Sequence, residues 1–389
     1  MIQLKDICDI YDCPHTTAKD EGKGYPLVRT PNVGKGRLIL NGIHRVSEDV
    51  YNSRNARAIP EEGDLILARE APVGNVSIIM DGQRVCLGQR VVLIKPKREL
   101  VDPHFLTYYL LSAEVQHRLK NHANGAVVAH LNVSDIRNLW VTLPEFEEQV
   151  AIGKILRSID DKIELNRQIN DNLEQQIQAL YQAWFIDLVP FNGVRPNSWN
   201  YGLLSDLLTL QKETIKPHNV NGMPYLPIDA IPMRCLGINR FAPSEEALSS
   251  LQKFYSNDIV IGAMRVYFHR VIIAPCEGIT RNTNFILRPN TLNTLAYCLC
   301  LCNQKDTIDF AQATSKGTTM PYAVWEGGLA NMPITIPDKN ILNEFETLVM
   351  PLISSIRDSY LERIKLEQLR DSLLPKLMSG ELIINEIDC

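Results

Sequence analysis

Two stretches of the chain share one pattern of apolar residues, spaced alternately four and three positions apart. In the first stretch, from Pro144 to Asp187, eight of ten such positions are apolar, and most of the intervening residues carry a charge or an amide. This pattern is typical of a long amphipathic helix that packs against another helix. The eight apolar positions are Ile152, Leu156, Ile159, Ile163, Leu173, Ile177, Leu180 and Trp184.

A second copy of the pattern lies 193 residues further along, from Pro337 to Gly380. Two equivalent helices in one chain most economically pack against each other, so we expect an antiparallel, coiled-coil-like pair. Pro351 and Pro375 lie inside the second copy, and we expect them to kink or fray it. The apolar positions of the second copy are Phe345, Val349, Leu352, Ile356, Leu366, Leu373 and Leu377.

Polar residues interrupt both apolar faces at the same place. Asn166 and Asn170 interrupt the first face, and Ser359 and Arg363 interrupt the second. A buried amide can fix the register of a coiled coil, and we propose this role for the two asparagines. The alternative is that they face water or a partner subunit.

The segments that precede the two helices also repeat. Each contains β-rich runs separated by Gly and Asp, then a helical run, then a glycine, and then a last extended run. We therefore predict an α/β (α+β) fold in which two mixed domains alternate with two long helices, with pseudo-twofold internal symmetry. The predicted segments are 1–144 and 190–337 for the domains and 145–189 and 338–389 for the helices.

Length and composition indicate a multidomain protein outside the membrane. A chain of 389 residues is too long for one ordinary core, and it contains no run of 18 apolar residues. The first residues, MIQLKDICDIYD, lack the basic start of a signal peptide, so we expect a cytoplasmic protein. Three of the nine cysteines alternate with leucines in LAYCLCLC. We interpret them as reduced thiols on a buried helix rather than as metal ligands.

The net charge of −5 is unevenly distributed. The two long helical segments carry 4 basic against 9 acidic and 6 basic against 10 acidic residues. Segments 1–144 and 190–337 carry 18 against 16 and 12 against 10, so both are mildly basic. This distribution permits two domains that face DNA, although an ordinary solvated surface would have the same balance.

The predicted layout suggests two classes of function. Dimeric DNA-binding proteins use twofold symmetry to contact two half-sites at a set spacing. The same geometry within one chain, with two unlike domains, would recognise a bipartite, non-palindromic sequence. The alternative is a non-catalytic scaffold or adaptor whose two domains bind proteins on a coiled-coil frame.

Six segments in order resemble the specificity subunit of type I restriction-modification systems. They are residues 12–17 (DCPHTT), 26–30 (PLVRT), 63–79 (GDLILAREAPVGNVSII), 87–96 (LGQRVVLIKP), 129–144 (AHLNVSDIRNLWVTLP) and 147–187. The resemblance implies that the domains are target recognition domains and that the helices form an antiparallel spacer between them. It also implies double-stranded DNA, two methylation subunits and restriction subunits as partners, with S-adenosylmethionine, ATP and magnesium bound on those partners.

The second domain departs from this pattern. AREAPVGNVSII in the first domain corresponds to AMRVYFHRVIIA in the second, and GQRVVLIKP corresponds to RNTNFILRP. Contacts therefore do not transfer residue by residue. The difference fits two domains that read different base sequences, and it also fits drift in loops that touch nothing.

Candidate DNA-contacting residues are the loop-borne side chains that can read base edges or bind phosphates. In the first domain they are Thr17, Lys19, Arg29, Thr30, Lys35, Arg69, Arg84, Gln89 and Arg90. In the second domain they are Lys216, Arg234, Arg265, Arg270, Arg281, Asn282, Asn284 and Lys316.

We predict that the chain is not itself catalytic. It contains no Pro-Pro pair, which the tetrad of an adenine methyltransferase requires, and no phosphate-binding G-x-x-x-x-G-K-[ST] loop. It also lacks the HExxH and GxSxG motifs and any Cys/His spacing typical of metal sites. The adjacent carboxylates of Asp160 and Asp161 are interpreted as solvated charges on the helix surface.

Overall fold

The computed structural model describes residues 1–122, 130–220, 222–291 and 293–382. Ala129, the first residue of the segment 129–144, lies outside these ranges. The chain forms two compact units. Unit 1 consists of Met1–Asp161 with Glu367–Cys389, and unit 2 consists of Lys162–Leu366.

Unit 1 contains ten strands and five short helices in the part of it that the structure describes. The strands are β1 (Ile2–Gln3), β2 (Cys8–Asp12), β3 (Tyr25–Val28), β4 (Gly36–Arg37), β5 (Arg45–Val46), β6 (Leu65–Ala68), β7 (Val76–Ile78), β8 (Cys86–Leu87), β9 (Val91–Pro96) and β10 (Trp140–Val141). The helices are α1 (Leu4–Ile7), α2 (Glu48–Arg54), α3 (Pro103–Leu111), α4 (Ala113–His122) and α5 (Val133–Arg137).

A five-stranded sheet forms the centre of unit 1, in the order β2-β9-β6-β7-β4. Strands β3, β5 and β8 form a second sheet in the order β5-β3-β8, and β1 pairs with β10. Alternate residues of β6 lie in different cores: Leu65 and Leu67 pack with Phe105 of α3, and Ile66 packs with Val28. Both faces of the central strands are therefore covered, which explains why β6 and β9 are apolar almost throughout.

The first long helix is α6 (Phe146–Tyr181), and a π-helical turn follows it at Gln182–Ile186. The strands of unit 2 are β11 (Asn200–Leu203), β12 (Leu208–Leu210), β13 (Thr214–Ile215), β14 (Tyr225–Leu226), β15 (Leu251–Phe254), β16 (Ile259–Gly262), β17 (Val271–Ile273), β18 (Gly278–Arg281), β19 (Asn284–Pro289) and β20 (Pro333–Ile336). The remaining helices are α7 (Leu204–Leu207), α8 (Leu295–Cys302), α9 (Lys305–Ala313) and α10 (Lys339–Ser379).

The sheet of unit 2 repeats that of unit 1. Its order, β12-β19-β16-β17, reproduces β2-β9-β6-β7 with the same antiparallel pairing. Helix α8 covers one face of this sheet as α3 does in unit 1, and all eight of its residues are buried. The predicted mixed α/β fold with an internal repeat is confirmed.

Parts of both long helices contribute to the core of each unit. In unit 1, Leu156 of α6 and Leu377 of α10 join the same apolar cluster. In unit 2 the two helices run antiparallel, because Asn166 contacts Glu362 whereas Tyr181, later in α6, packs near Phe345, earlier in α10. The predicted seam residues that are buried are Ile152, Leu156, Ile159, Ile177, Phe345, Val349, Ile356 and Leu377. Those that are half-buried are Ile163, Leu173, Leu180, Trp184, Leu352, Leu366 and Leu373.

The expected fraying of the second helix and the interpretation of Asp160 were wrong. Helix α10 is continuous over 41 residues, so Pro351 and Pro375 do not fray it. Both prolines are exposed, and water can bind the backbone carbonyls that they leave without a donor. Asp160 is not a solvated surface charge: it is 5% exposed and pairs with Arg370 in unit 1.

Candidate nucleic-acid interface

In unit 1, two backbone hydrogen bonds bring three distant segments together at the end of the central sheet. The amide of Arg69, just after β6, donates to the carbonyl of Arg90, just before β9, at 2.9 Å. The amide of Leu131 then donates to the carbonyl of Arg69 at 3.0 Å. Side chains from all three segments therefore converge on one surface.

Unit 2 contains the same pair of hydrogen bonds with different residues. The amide of Ala263, just after β16, donates to the carbonyl of Thr283 at 2.9 Å, and the amide of Ala323 donates to the carbonyl of Ala263 at 2.8 Å. The internal repeat thus places a second set of converging side chains on an equivalent backbone frame. We call these sets site 1 (residues 69–70, 89–90 and 130–131) and site 2 (residues 263–265, 282–283 and 316–323).

Site 1 is charged. Its cavity, of about 380 Å³, is lined by His15, Arg69, Glu70, Gln89, Arg90 and His130. Glu70 pairs with Nδ1 of His130 at 2.7 Å and with Nη1 of Arg90 at 3.0 Å. The side chain of Arg90 remains 62% exposed. Glu70 therefore orients a guanidinium group that can still reach a ligand in solvent.

Arg69 supports this surface from inside. Its guanidinium donates to the carbonyl of Leu131 at 2.8 Å and pairs with Asp12 at 2.8 Å, and its side chain is buried. The sequence predicted a DNA contact for Arg69, but the structure gives it bonds that fix the segment around Leu131. A direct contact would require those bonds to break.

A second basic cavity adjoins site 1 and shares Gln89 and Arg90 with it. This cavity has a volume of about 530 Å³, and its lining includes six of the predicted residues: Thr17, Lys19, Arg29, Thr30, Gln89 and Arg90. The hydroxyl of Thr17 donates to Oε1 of Gln89 at 3.1 Å. Two backbone amides, those of Arg45 and Gly22, lower the pKa of the Asp20 carboxyl, which also lines the cavity.

The loop that carries Gln89 and Arg90 is held tightly by close packing at Gly88. The backbone amide of Gly88 donates to the carbonyl of Val28 at 2.7 Å. A Cβ atom at Gly88 would lie 2.7 Å from both that carbonyl oxygen and Cγ of Arg29. Only glycine permits this approach, so the two candidate reading residues are presented by a fixed loop.

Two predicted residues of unit 1 lie away from this surface. Lys35 lines a larger cavity of about 940 Å³ together with Tyr108, Asp160 and Arg370. Arg84 lies over the rings of Tyr25 and Tyr51, with distances of 5.0 and 5.6 Å to the ring centroids. Neither residue converges with Arg90.

Site 2 is largely apolar. Its cavity, of about 560 Å³, has a lining that includes Met264, Phe285, Met320, Tyr322 and Trp325. Two predicted residues, Asn282 and Lys316, also line it. Lys212 and Glu326 form an ion pair at its edge, at 2.7 Å. Two equivalent backbone frames therefore present different chemistry.

The other predicted residues of unit 2 are dispersed. Asn284 is buried inside the unit, where its amide donates to the hydroxyl of Thr280 at 2.6 Å. Arg234 lines a separate polar cavity of about 540 Å³ beside Lys305 and the glutamines of α6. Lys216 and Arg281 are exposed and Arg270 is half-buried, whereas Arg265 belongs to site 2 and is exposed there.

Sequence reasoning missed several residues that define these sites. Glu70 and His130 are not among the predicted residues, because their contact joins positions 60 residues apart. Met320 and Tyr322 were overlooked because apolar residues were assigned to the core. The available signal in the sequence was a methionine and a tyrosine on either side of Pro321, shortly after Gly317.

The chain is similar in sequence to proteins of type I restriction systems. Residues 1–175 match the family model described as the type I restriction modification DNA specificity domain. The chain is also 26% identical to the type I restriction enzyme MjaIX specificity subunit of Methanocaldococcus jannaschii, in an alignment that covers 99% of this chain and 94% of that protein. Residues 1–175 thus match the specificity-domain family, and the chain is similar to a type I specificity subunit over nearly its full length.

The chain is also similar to another specificity subunit in sequence and to a solved S subunit in fold. It is 30% identical to the type I restriction enzyme HindI specificity subunit of Haemophilus influenzae, over 35% of this chain and 30% of that protein. Its fold resembles the crystal structure of the S subunit from M. genitalium, with a TM-score of 0.60 at 15% identity, over 97% of this chain and 95% of that one.

Two further findings concern the described residues of the chain. No helix among them is both long and apolar enough to cross a membrane, and no group of three or more of their His, Cys, Asp and Glu side chains is arranged to hold a metal ion. The thiols of Cys298, Cys300 and Cys302 are free and buried on α8, and burial raises the pKa of Cys298 to about 12.

Proposed function

We propose that this chain is the specificity subunit of a type I restriction-modification complex, which binds a bipartite, asymmetric DNA sequence and directs partner methyltransferase and nuclease subunits to it. The observation that carries the proposal is the pair of repeated backbone hydrogen bonds, which build sites 1 and 2 on equivalent frames. Two equivalent backbone frames are suited to bind the same kind of ligand. Their different side chains are suited to recognise two different sequences of that ligand. In this proposal segments 1–144 and 190–337 are target recognition domains, and segments 145–189 and 338–389 are spacer helices.

Site 1 has the chemistry for reading base edges. Arginine binds O6 and N7 of guanine with two hydrogen bonds, and glutamine binds N6 and N7 of adenine. Gln89 and Arg90 lie side by side on the fixed loop, and both line the two adjoining cavities. The Gln89 amide is bonded to Thr17 and to the carbonyl of His15, so it would exchange these bonds for base contacts, whereas Arg90 is exposed and needs no such exchange. Lys19 and Arg29 in the second cavity are suited to the flanking phosphates.

We further propose that the subunit is not itself catalytic. The methyl donor and the nucleotide would bind to two methylation subunits and to restriction subunits, and this chain would supply only the sequence specificity. Measurable binding of S-adenosylmethionine or ATP by the isolated chain would contradict this part of the proposal.

Binding to duplex DNA tests the assignment of site 1. The complex of this chain with its methylation subunit is titrated against a duplex that carries the target site, at several salt concentrations. Arg90→Ala should weaken binding about 10-fold to 100-fold, the range expected for one bidentate base contact. Lys19→Ala should reduce the slope of the logarithm of the binding constant against the logarithm of the salt concentration by the amount expected for about one phosphate contact.

Arg98 provides a matched control, because it is an exposed arginine that follows β9 whereas Arg90 precedes it. The six residues of β9 separate the two side chains by roughly 20 Å. Arg98→Ala should bind as the wild type does. If Arg90→Ala and Arg98→Ala weakened binding equally, site 1 would not be a base-reading surface.

A further inference from the structure

Site 2 contains a closed loop, Lys316–Tyr322, which we call the tip loop. Two hydrogen bonds join its ends: the amide of Lys316 donates to the carbonyl of Tyr322, and the amide of Tyr322 donates to the carbonyl of Lys316, both at 2.9 Å. The turn begins at Gly317, whose φ of +87° favours glycine. The amide of Arg265 also donates to the carbonyl of Pro321 at 2.8 Å. The tip loop is therefore fixed at both ends and along one side.

The tip loop exposes apolar side chains that its own unit does not cover. Met320 is 52% exposed and Tyr322 is 48% exposed. Both line the cavity of site 2, together with the buried rings of Phe285 and Trp325. A fixed loop that holds two large apolar side chains at the mouth of an apolar cavity is suited to contact an apolar group of a ligand.

The surroundings of the tip loop favour DNA as that ligand. Lys316, at the start of the loop, and Arg265, beside the loop, are both exposed. Glu326 is the one carboxylate that lines the cavity, and it is already paired with Lys212. Asn282, which can read adenine, lines the same cavity. The apolar side chains thus lie within a positively charged rim, which suits a polyanion better than an apolar peptide.

We propose that the tip loop enters the major groove and that Met320 and Tyr322 contact the 5-methyl group of thymine. This methyl is the apolar group that bases present in the major groove, and it distinguishes a thymine from the other three bases. Lys316 contacts a neighbouring phosphate. The inference rests on the proposed function, and it assigns the specificity of unit 2 to residues outside the predicted set.

Replacing thymine by uracil tests the inference, because only the 5-methyl group is removed. Duplexes carry uracil at each thymine of the target site in turn, and each is titrated with the complex of the full chain and its methylation subunit. Uracil at one or more positions, all in the same half of the site, should weaken wild-type binding about four-fold, the effect of losing one buried methyl-sized group. Met320→Ala should bind more weakly and should no longer distinguish thymine from uracil at those positions.

Two variants serve as controls. Met320→Leu keeps the apolar surface and should keep the four-fold difference between thymine and uracil. Met233→Ala truncates an exposed methionine of unit 2 outside site 2, and it should behave as the wild type.

Two results would contradict the inference, and they are distinguishable. Specific binding that is insensitive to uracil everywhere, or equally sensitive in the wild type and in Met320→Ala, would overturn the role of the tip loop and leave the proposed function standing. Failure of the wild-type complex to bind any specific site would overturn the proposed function, and the inference with it.

Discussion

The carboxylate of Asp258 accepts two hydrogen bonds from the guanidinium of Arg288, at 2.7 and 2.8 Å, although the Asp258 side chain is only 2% exposed. Unit 1 contains the equivalent pair, Asp64 and Lys95, at 2.8 Å. Each aspartate also accepts the backbone amide three residues before it, Tyr255 in unit 2 and Glu61 in unit 1. The turn that opens the central strand is therefore built in the same way in both units, even where the cation differs.

Replacing Asp258 by asparagine should destabilise the protein. The change leaves Arg288 without its anionic partner, and because that arginine is partly exposed we expect a loss of about 2 kcal/mol of unfolding free energy. Urea denaturation measures the loss. The matched control is Asp309→Asn, which breaks an exposed pair with Lys305 and should cost at most about 0.5 kcal/mol. Equal losses in the two variants would show that burial of the Asp258 pair is unimportant.

Arg370 should be essential for packing α10 against unit 1. Its guanidinium donates to Asp160 at 2.9 Å, and the other oxygen of that carboxylate accepts the hydroxyl of Tyr108 at 2.7 Å. Burial and Asp160 both raise the pKa of Tyr108, so its hydroxyl remains a donor. Arg370→Ala leaves a buried carboxylate without a cation, and we expect it to cost about 3 kcal/mol.

Two variants control for this effect. Arg370→Lys restores the charge with fewer hydrogen bonds and should recover part of the loss in the same denaturation experiment. Arg167→Ala removes an exposed arginine of α6 and should cost no more than about 1 kcal/mol. A loss in Arg370→Ala as small as that in Arg167→Ala would rule out a stabilising role for the Asp160 pair.

The two asparagines of the helix seam should respond in opposite directions to replacement by leucine. Both are buried, but only Asn166 has a partner for its side chain in the part of the chain described, the carboxylate of Glu362 at 2.7 Å. A buried polar group without a partner costs about 1–3 kcal/mol. Asn170→Leu should therefore raise the midpoint of thermal unfolding, whereas Asn166→Leu should lower it. A lower midpoint in both variants would indicate that Asn170 is hydrogen-bonded in solution.

Glu174 should make stability depend on pH. It is buried in unit 2, where its carboxylate accepts the amide of Leu236 at 3.1 Å and the hydroxyl of Tyr360 at 3.2 Å. Burial raises the pKa of Glu174 above its ordinary value of 4.5. The folded state therefore binds a proton here more readily than the unfolded chain does. The resulting stabilisation is complete below the unfolded pKa and is lost as the pH rises through the folded pKa.

Comparison with Glu174→Gln isolates this contribution, because glutamine cannot titrate. The unfolding free energy of the wild type, relative to that of the variant, should increase as the pH is lowered from about 7 to about 5. Urea denaturation at several pH values gives the difference directly. A difference that does not change with pH would show that the folded and unfolded pKa values of Glu174 are equal.

The regular spacing of apolar residues in the sequence predicted those elements whose buried positions also repeat regularly along the chain. Helices α6 and α10 begin within two residues of the predicted starts at 145 and 338. Helix α8 is buried, as LAYCLCLC indicated. The helical run predicted in the first domain forms as two helices, α3 and α4, because the chain is extended at Ser112. The pattern of apolar residues does not mark that break.

The candidate site was harder to predict from sequence. The network of Glu70, Arg90 and His130 joins residues far apart in the chain, and a polar residue alone does not reveal its partner. Asn284 has the same residue type as an exposed base reader, yet the strand places it inside unit 2. Gln89 and Arg90 lie on one loop because adjacent residues need no fold to bring them together, and their role as base readers stays a prediction.

The most direct test of the central claim is genome-wide mapping of N6-methyladenine in cells that express the partner methylation subunit with and without this chain. We predict a two-part motif with a fixed unread gap, methylated only when the chain is present, with two different half-sites. Methylation that is unchanged by deletion of the chain would contradict DNA recognition by this subunit. That result would favour the scaffold function instead.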